Sequence, residues 1–192
     1  MNKMMKKLLM LVAVGILATA PVCAQTNPAG IRLDICSAET DKSEYTLFTY
    51  KDSDDDASTR FYLSLGRVTS PLGVFRDDFP EISINDIRET CITLGATADE
   101  AFATLDSILV LFDKDVETTA SFSGRASTGS ERLGDPCTTT CVVKKKPLGG
   151  KRLLFQFVSG DRQAEAYLTK AIVKELRAGL KIDKKLHPKR YK

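Results

Sequence analysis

The sequence contains no tryptophan and a single histidine, His187. A nucleophile assisted by a histidine base would have to recruit that one residue, and a zinc site built from several histidines is excluded by count. None of the spacings Gly-x-Ser-x-Gly, Ser-x-x-Lys or His-Glu-x-x-His occurs, so the hydrolase classes that they mark are not indicated. The absence of tryptophan also disfavours a cleft in which sugars stack on aromatic rings.

The chain has one long apolar run, Leu8–Ala20, and it is too short to anchor the protein across a bilayer. Lysines precede the run and the small-residue segment 21–24 follows it, which is the layout of a secretory signal peptide. We therefore expect cleavage after Ala24 to remove residues 1–24 and the protein to be exported to the periplasm or the cell exterior. The alternative, a lipoprotein modified at Cys23, requires a different residue pattern before the cysteine.

The formal net charge is only +3, from 28 basic and 25 acidic residues. Three of the lysines lie in the signal segment, so the mature chain carries 25 residues of each sign. The balance is uneven along the chain, because residues 181–192 hold six basic side chains and one acidic one, whereas residues 25–180 are acidic overall. We expect one domain over residues 25–180, followed by a basic tail over residues 181–192.

The basic tail has two interpretations. It can attract an anionic partner, such as a lipopolysaccharide phosphate, an acidic glycan or a membrane surface, or it can be a solvated terminus. Tyr191 is the only aromatic residue among its lysines and arginine, so nucleic-acid binding is not indicated. The predicted partner is an unidentified protein or an anionic surface ligand, and no transmembrane anchor is expected.

Four cysteines remain after cleavage, Cys36, Cys91, Cys137 and Cys141, in a compartment that permits disulfides. They allow three pairings, and the sequence does not choose among them. An extended strand would place the Cα atoms of Cys137 and Cys141 about 13 Å apart, so these two can join only across a turn. The alternative is that Cys91 and Cys141 are small buried apolar residues. Two cysteines are too few ligands for zinc, and no metal or cofactor is predicted.

The strongest secondary-structure signal is a helix over Thr97–Phe112. Thr97 and Glu100 have the spacing of a capping box, in which each side chain bonds the other residue's backbone amide. A single apolar stripe follows, wide enough to pack on a sheet or on another helix. The stripe consists of Ala98, Ala101, Phe102, Leu105, Ile108, Leu109 and Phe112.

Alternating patterns rich in aromatic and β-branched residues predict strands on both sides of this helix. The strands Tyr45–Tyr50 and Arg60–Leu65 should form a hairpin with a charged tip at 52–59, and Gly149-Gly150 should turn a second hairpin. The predicted strands are Ile31–Ile35, Tyr45–Tyr50, Arg60–Leu65, Thr90–Leu94, Val116–Ser123, Thr139–Lys145 and Arg152–Val158.

A second helix is predicted over Asp161–Ala178, ended by Gly179. Aligned without gaps, the segments that begin at Gly95 and Gly160 share residues at several offsets, which suggests an internal duplication. The alternative is that unrelated strand-to-helix transitions share such residues for capping and propensity reasons. We expect an α+β fold with an antiparallel or mixed sheet of six to seven strands and two amphipathic helices packed on one face, in the order strands, helix, strands, helix.

Two segments imitate ligand-binding loops. Asp52, Asp54 and Asp56 are spaced like the first ligands of a calcium loop, but Ala57 stands where that loop needs glycine and no glutamate completes it. A solvated hairpin tip is the favoured interpretation, with weak calcium binding as the alternative. The segment 124–131 has the glycine spacing of a phosphate-binding loop, but it lacks the lysine and opens no helix, so a nucleotide site is excluded.

The sequence identifies no reaction, and the function that it favours is a non-catalytic, exported binding or interaction module. Contacts are expected from the hairpin tip, the tail and a loop over residues 124–136. Within that loop the candidate binding residues are Arg125, Ser127 and Arg132.

Two other functions are carried as alternatives. One is a hydrolase that uses paired carboxylates and needs no histidine, for which Glu175 is the first candidate because it lies close to the apolar stripe of the second helix. The other is an assembly protein, since Val110 and Leu111 lie off the core stripe of the first helix and can cover a second layer or a second copy of the chain.

Overall fold

A computed structural model describes residues 30–40, 43–51, 59–67, 87, 89–127, 133–147 and 149–191. The expected signal peptide, most of the first hairpin tip and residues 128–132 lie outside this set. The elements are β1 (Ile31–Thr40), β2 (Ser43–Lys51), β3 (Arg60–Arg67), β4 (Glu89–Gly95), α1 (Ala98–Leu111), β5 (Thr119–Ser127), β6 (Asp135–Lys145), β7 (Lys151–Ser159), β8 (Arg162–Leu168), α2 (Lys170–Leu186) and a 3-10 helix (Pro188–Tyr191).

The sheet has eight strands in the order β1 to β8, and every neighbouring pair is antiparallel. The expectation of six to seven strands is therefore wrong. The additional strand is β8, which occupies residues that were predicted to be helical. Ala164, Ala166 and Leu168 are buried and the residues between them are exposed, which is the two-residue period of a strand.

The sheet is not flat but curls into a half-barrel. The Tyr45 hydroxyl on β2 donates to the Tyr167 carbonyl on β8 at 2.9 Å, although the two strands are six places apart in the sheet. Helix α1 packs on β4, and α2 runs from the end of β8 to pack on β1. The two helices also contact each other. The predicted layer of two helices on one face of a smaller sheet is wrong, because the coiling of a long antiparallel meander encloses the core.

The suggested internal duplication is also wrong, because the two aligned segments have different secondary structure. The segment from Gly95 contains α1, whereas the segment from Gly160 contains the whole of β8 and only the first turns of α2. Helical residues were thus matched to strand residues. The predicted end at Gly179 fails as well, since α2 continues through this glycine to Leu186.

Helix α1 confirms the strongest prediction. The Thr97 hydroxyl accepts from the Glu100 amide at 3.2 Å, as the capping box requires. The Glu100 carboxylate accepts from the amide of Ala96 at 2.7 Å, one residue before the expected partner. The predicted hairpins are also confirmed: β2 pairs with β3, and β6 turns into β7 through two glycines with positive φ.

Helices α1 and α2 run antiparallel and are joined by three ion pairs. The acidic residues on α1 and just after it recur every seventh position, as do the basic residues on α2, so both rows lie along one side of their helix. All six side chains are partly exposed, so each pair adds little to stability, but together they fix the register of the helices. The pairs are Asp99–Lys184 at 2.6 Å, Asp106–Arg177 at 2.6 Å and Asp113–Lys170 at 2.7 Å.

Candidate binding surface at the C-terminal end

The predicted binding residues Arg125 and Ser127 lie in β5 rather than in a loop. The loop prediction over 124–136 is wrong at both ends, because β5 continues to Ser127 and β6 begins at Asp135. Arg125 donates to the Gly134 carbonyl at 2.9 Å, and Ser127 is buried. Arg132, the third candidate, lies outside the described residues.

The calcium candidates Asp52, Asp54 and Asp56 also lie outside the described residues. Elsewhere in the chain, over the ranges that the structure covers, no group of three or more histidine, cysteine, aspartate or glutamate side chains is placed to hold a metal ion.

The hydrolase alternative needs a carboxylic acid whose pKa is raised so that it can protonate a leaving group. Glu175 is exposed on α2. The described carboxylates with a displaced pKa are Asp106, Asp113 and Asp183, and in each the pKa is lowered. Hydrogen bonds from Arg177 and Lys170 are the main cause for the first two. These shifts hold the carboxyls ionised, which is opposite to what an acid catalyst needs.

The four cysteines are free thiols in this structure. Cys137 and Cys141 both lie in the extended strand β6, which lacks the turn that would let them join. Burial raises the pKa of Cys36 to about 11 and that of Cys141 to about 12, and it also raises the pKa of Cys91 and of Cys137. Thiols with raised pKa values are poor nucleophiles near neutral pH because little thiolate forms.

The C-terminal tail is built around a buried aspartate. Asp183 is only 9% exposed and lies on the core side of α2, and its carboxylate is surrounded by residues of the tail. The His187 Nδ1 atom lies 2.8 Å from it, the Arg190 guanidinium donates to it at 3.2 Å, and the Tyr191 hydroxyl donates to it as well. The Tyr191 ring stacks on Phe61 of β3, with ring centroids 6.0 Å apart. The end of the chain is thus folded back onto the sheet.

The electrostatics of this cluster favour an ionised Asp183. Burial alone would raise its pKa, but the hydrogen bonds from Tyr191 and His187 and the charge of Arg190 outweigh burial and lower it. The pKa of Tyr191 is raised, first by burial and then by its hydrogen bond to the carboxylate. The tyrosine therefore stays protonated and donates, while the carboxylate accepts.

The end of α2 and the 3-10 helix that Asp183 anchors present an outward-facing strip that we call the C-terminal surface, formed by Lys181, Ile182, Lys185, Leu186 and Lys189. The three lysines are exposed and form no ion pair with any part of the chain that the structure describes. Ile182 is 60% exposed and Leu186 is 66% exposed. Residues four apart share a side of a helix, so Lys181 and Lys185 run beside Ile182 and Leu186 on α2. Lys189 follows in the 3-10 helix.

The start of β1 borders this surface. Helix α2 runs along β1, with Gly179 packed against Cys36, and its end reaches Phe61 through Tyr191. Leu33 lies in the same register row as Phe61, with one β2 residue between them. Ile31 is 73% exposed, and Leu33 is also exposed. Two further aliphatic side chains therefore lie at the end of the molecule that carries the C-terminal surface.

In the sequence alone, Asp183 stands out only as the one acidic residue of the basic tail. A signal for its role was present, because Asp183 continues the buried stripe of Ile172, Leu176 and Leu180 and precedes His187 by one helical turn. Phe61 as the partner of Tyr191 had no local signal, since the two residues are 130 positions apart.

No protein-family model matches the chain, and neither a curated protein nor a solved structure shows significant similarity to it. In the described part of the chain, no helix has the length and apolar character needed to cross a membrane.

Proposed function

We propose that the protein is an exported, non-catalytic binding module whose C-terminal surface holds an anionic partner. Export is inferred from the lysine-preceded apolar run near the start of the sequence. The binding role rests on one observation, the fixed position of three lysines that form no ion pair within the described residues. Lys181 and Lys185 lie on the packed helix α2, and Lys189 lies in the segment that Asp183 anchors. A binding surface that is fixed before the partner arrives loses less conformational entropy on binding.

Local charge, rather than net charge, supports an anionic partner. The mature chain carries equal numbers of basic and acidic residues, but residues 181–192 hold six bases and one acid. Because charges are screened over about 8 Å at physiological ionic strength, a ligand at this end of the molecule responds to the lysines beside it. The acidic residues of the α1–α2 interface are already paired with Lys170, Arg177 and Lys184.

Chromatography on a sulfated polysaccharide tests the proposal. The chain from residue 25 to 192 should be retained although it has no net charge. The combined variant Lys181→Gln, Lys185→Gln, Lys189→Gln should elute at clearly lower salt because the three positive charges of the C-terminal surface are lost.

The matched control removes three lysines that lie outside α2, in the part of the molecule near the start of that helix. Lys114 follows α1, whose end pairs with the start of α2, and Lys145 and Lys146 precede the nearby β6–β7 turn. The variant Lys114→Gln, Lys145→Gln, Lys146→Gln should elute like the parent chain. Equal losses of retention in the two variants, or no retention of the parent, would contradict the proposed surface.

A further inference from the structure

We propose that the anionic partner of the C-terminal surface is a lipid bilayer with negatively charged headgroups, on which the protein lies without crossing it. This inference rests on the proposed function and adds the class of partner. It uses the aliphatic residues of the surface, which an exclusively electrostatic partner would leave exposed to water.

The first argument is the pairing of charge with apolar side chains. Lys181 is followed by Ile182, and Lys185 by Leu186, so each turn of this part of α2 presents one ammonium group and one large aliphatic group. A polysaccharide or an acidic peptide would be recognised by the lysines alone. A bilayer surface offers phosphates to the lysines and an apolar boundary, only ångströms deeper, to the aliphatic side chains.

The second argument is the orientation of α2. Its opposite side is buried through Val173, Leu176 and Leu180, and a third side is held against α1 by ion pairs. The helix cannot roll to hide Ile182 and Leu186 without breaking these contacts. The exposed aliphatic residues Ile31 and Leu33 at the start of β1 enlarge the apolar area at the same end of the molecule.

The third argument disfavours a second copy of the chain. In a symmetric dimer the same surface contacts itself. Lys181, Lys185 and Lys189 would then be brought close to the same set of lysines on the other copy, and the C-terminal surface contains no acidic residue to neutralise them. Like charges brought together in this way oppose association.

The experiment is co-sedimentation with extruded vesicles. The chain from residue 25 to 192 should bind vesicles of phosphatidylcholine mixed with phosphatidylglycerol and should not bind phosphatidylcholine alone. Binding should weaken as salt is added. The Lys181→Gln, Lys185→Gln, Lys189→Gln variant should bind roughly 100-fold less tightly, since each lysine near a charged membrane contributes about fivefold.

The aliphatic residues provide the test that separates a bilayer from other anions. The variant Ile182→Ala, Leu186→Ala should lose at least tenfold in vesicle affinity while keeping its retention on the sulfated polysaccharide. The control Val110→Ala, Val158→Ala changes two exposed valines elsewhere and should bind like the parent. Circular dichroism should show all variants folded, because the substituted side chains are exposed.

Each other outcome overturns the inference in a recognisable way. Retention on the polysaccharide without binding to the mixed vesicles would keep the proposed function and identify a glycan or protein partner instead. Vesicle binding that is unchanged in the Ile182→Ala, Leu186→Ala variant would show charge attraction alone. Light scattering that finds a dimer, converted to a monomer by the same variant, would assign the surface to a second copy. Failure of both retention and vesicle binding would remove the proposed function itself.

Discussion

At the scale of single residues, the position of the C-terminal tail depends on Asp183. This carboxylate accepts hydrogen bonds from three side chains that follow it in sequence, and it is the only acidic residue of the last twelve. Hydrogen bonds to a buried charge are stronger than those between neutral groups, and loss of the charge leaves the donors without a full partner. Asp183 thus helps to hold the segment after α2, residues 187–191, in an ordered position.

The variant Asp183→Asn should lower the free energy of unfolding at neutral pH by about 1–3 kcal/mol, because the charge-assisted bonds to Arg190 and Tyr191 are weakened. The pKa of Asp183 is lower in the folded protein than in the unfolded chain. Its contribution is therefore complete above the unfolded pKa of about 3.9 and is lost as the pH falls through the folded value. Urea unfolding at a series of pH values should show the difference between parent and variant shrinking below about pH 4.

The control for this prediction is Asp99→Asn, which removes an exposed carboxylate whose bond to Lys184 links the two helices. Its cost should be well under 1 kcal/mol, as is usual for surface ion pairs. A cost for Asp183→Asn no larger than that of the control, at every pH, would show that the tail is not anchored by this residue.

At the scale of elements, α2 is positioned by the close approach of its backbone to β1. Gly179 lies inside the helix, and a Cβ atom built there would come within 2.6 Å of the Cys36 sulfur. Arg177 and Lys184, on either side of this glycine in sequence, pair with α1. The helix is therefore held between β1 and α1, which is what directs its far end toward Phe61.

The variant Gly179→Ala should destabilise the protein by about 1–3 kcal/mol, because the added methyl group overpacks the contact with Cys36. Intrinsic helix propensity predicts the opposite sign, since alanine is favoured over glycine by about 1 kcal/mol in a helix interior. Thermal unfolding checks the sign, and adding Cys36→Ala should restore part of the loss. A more stable Gly179→Ala protein would mean that α2 does not pack this closely on β1.

The helices and strands also show why the sequence predicted some parts of the fold and not others. Helix α1 and the β6–β7 hairpin carry local signals, namely the Thr97 cap and the paired glycines, and these predictions are confirmed. Strand β8 contains glutamine, alanine and glutamate, which favour helices, so its composition predicts a helix although Ala164, Ala166 and Leu168 alternate with polar residues. Here pairing with β7 outweighed local propensity.

At the scale of the whole molecule, the half-barrel brings distant segments to one end. Helix α2 packs on β1 at Cys36, and Tyr191 just beyond the helix stacks on Phe61 of β3, although these residues are far apart in sequence. No local pattern specifies such a meeting, which depends on the coiling of eight strands. The basic tail and the aliphatic residues of β1 were each visible in the sequence, but their common location was not.

The most direct test of the account is hydrogen exchange, measured by mass spectrometry, of the chain from residue 25 to 192 with and without vesicles that contain phosphatidylglycerol. The account predicts slower exchange in residues 178–191 and 30–35 when the vesicles are present, with no change in the β6–β7 turn. Unchanged exchange in residues 178–191 while the protein sediments with the vesicles, or protection confined to another part of the molecule, would contradict it.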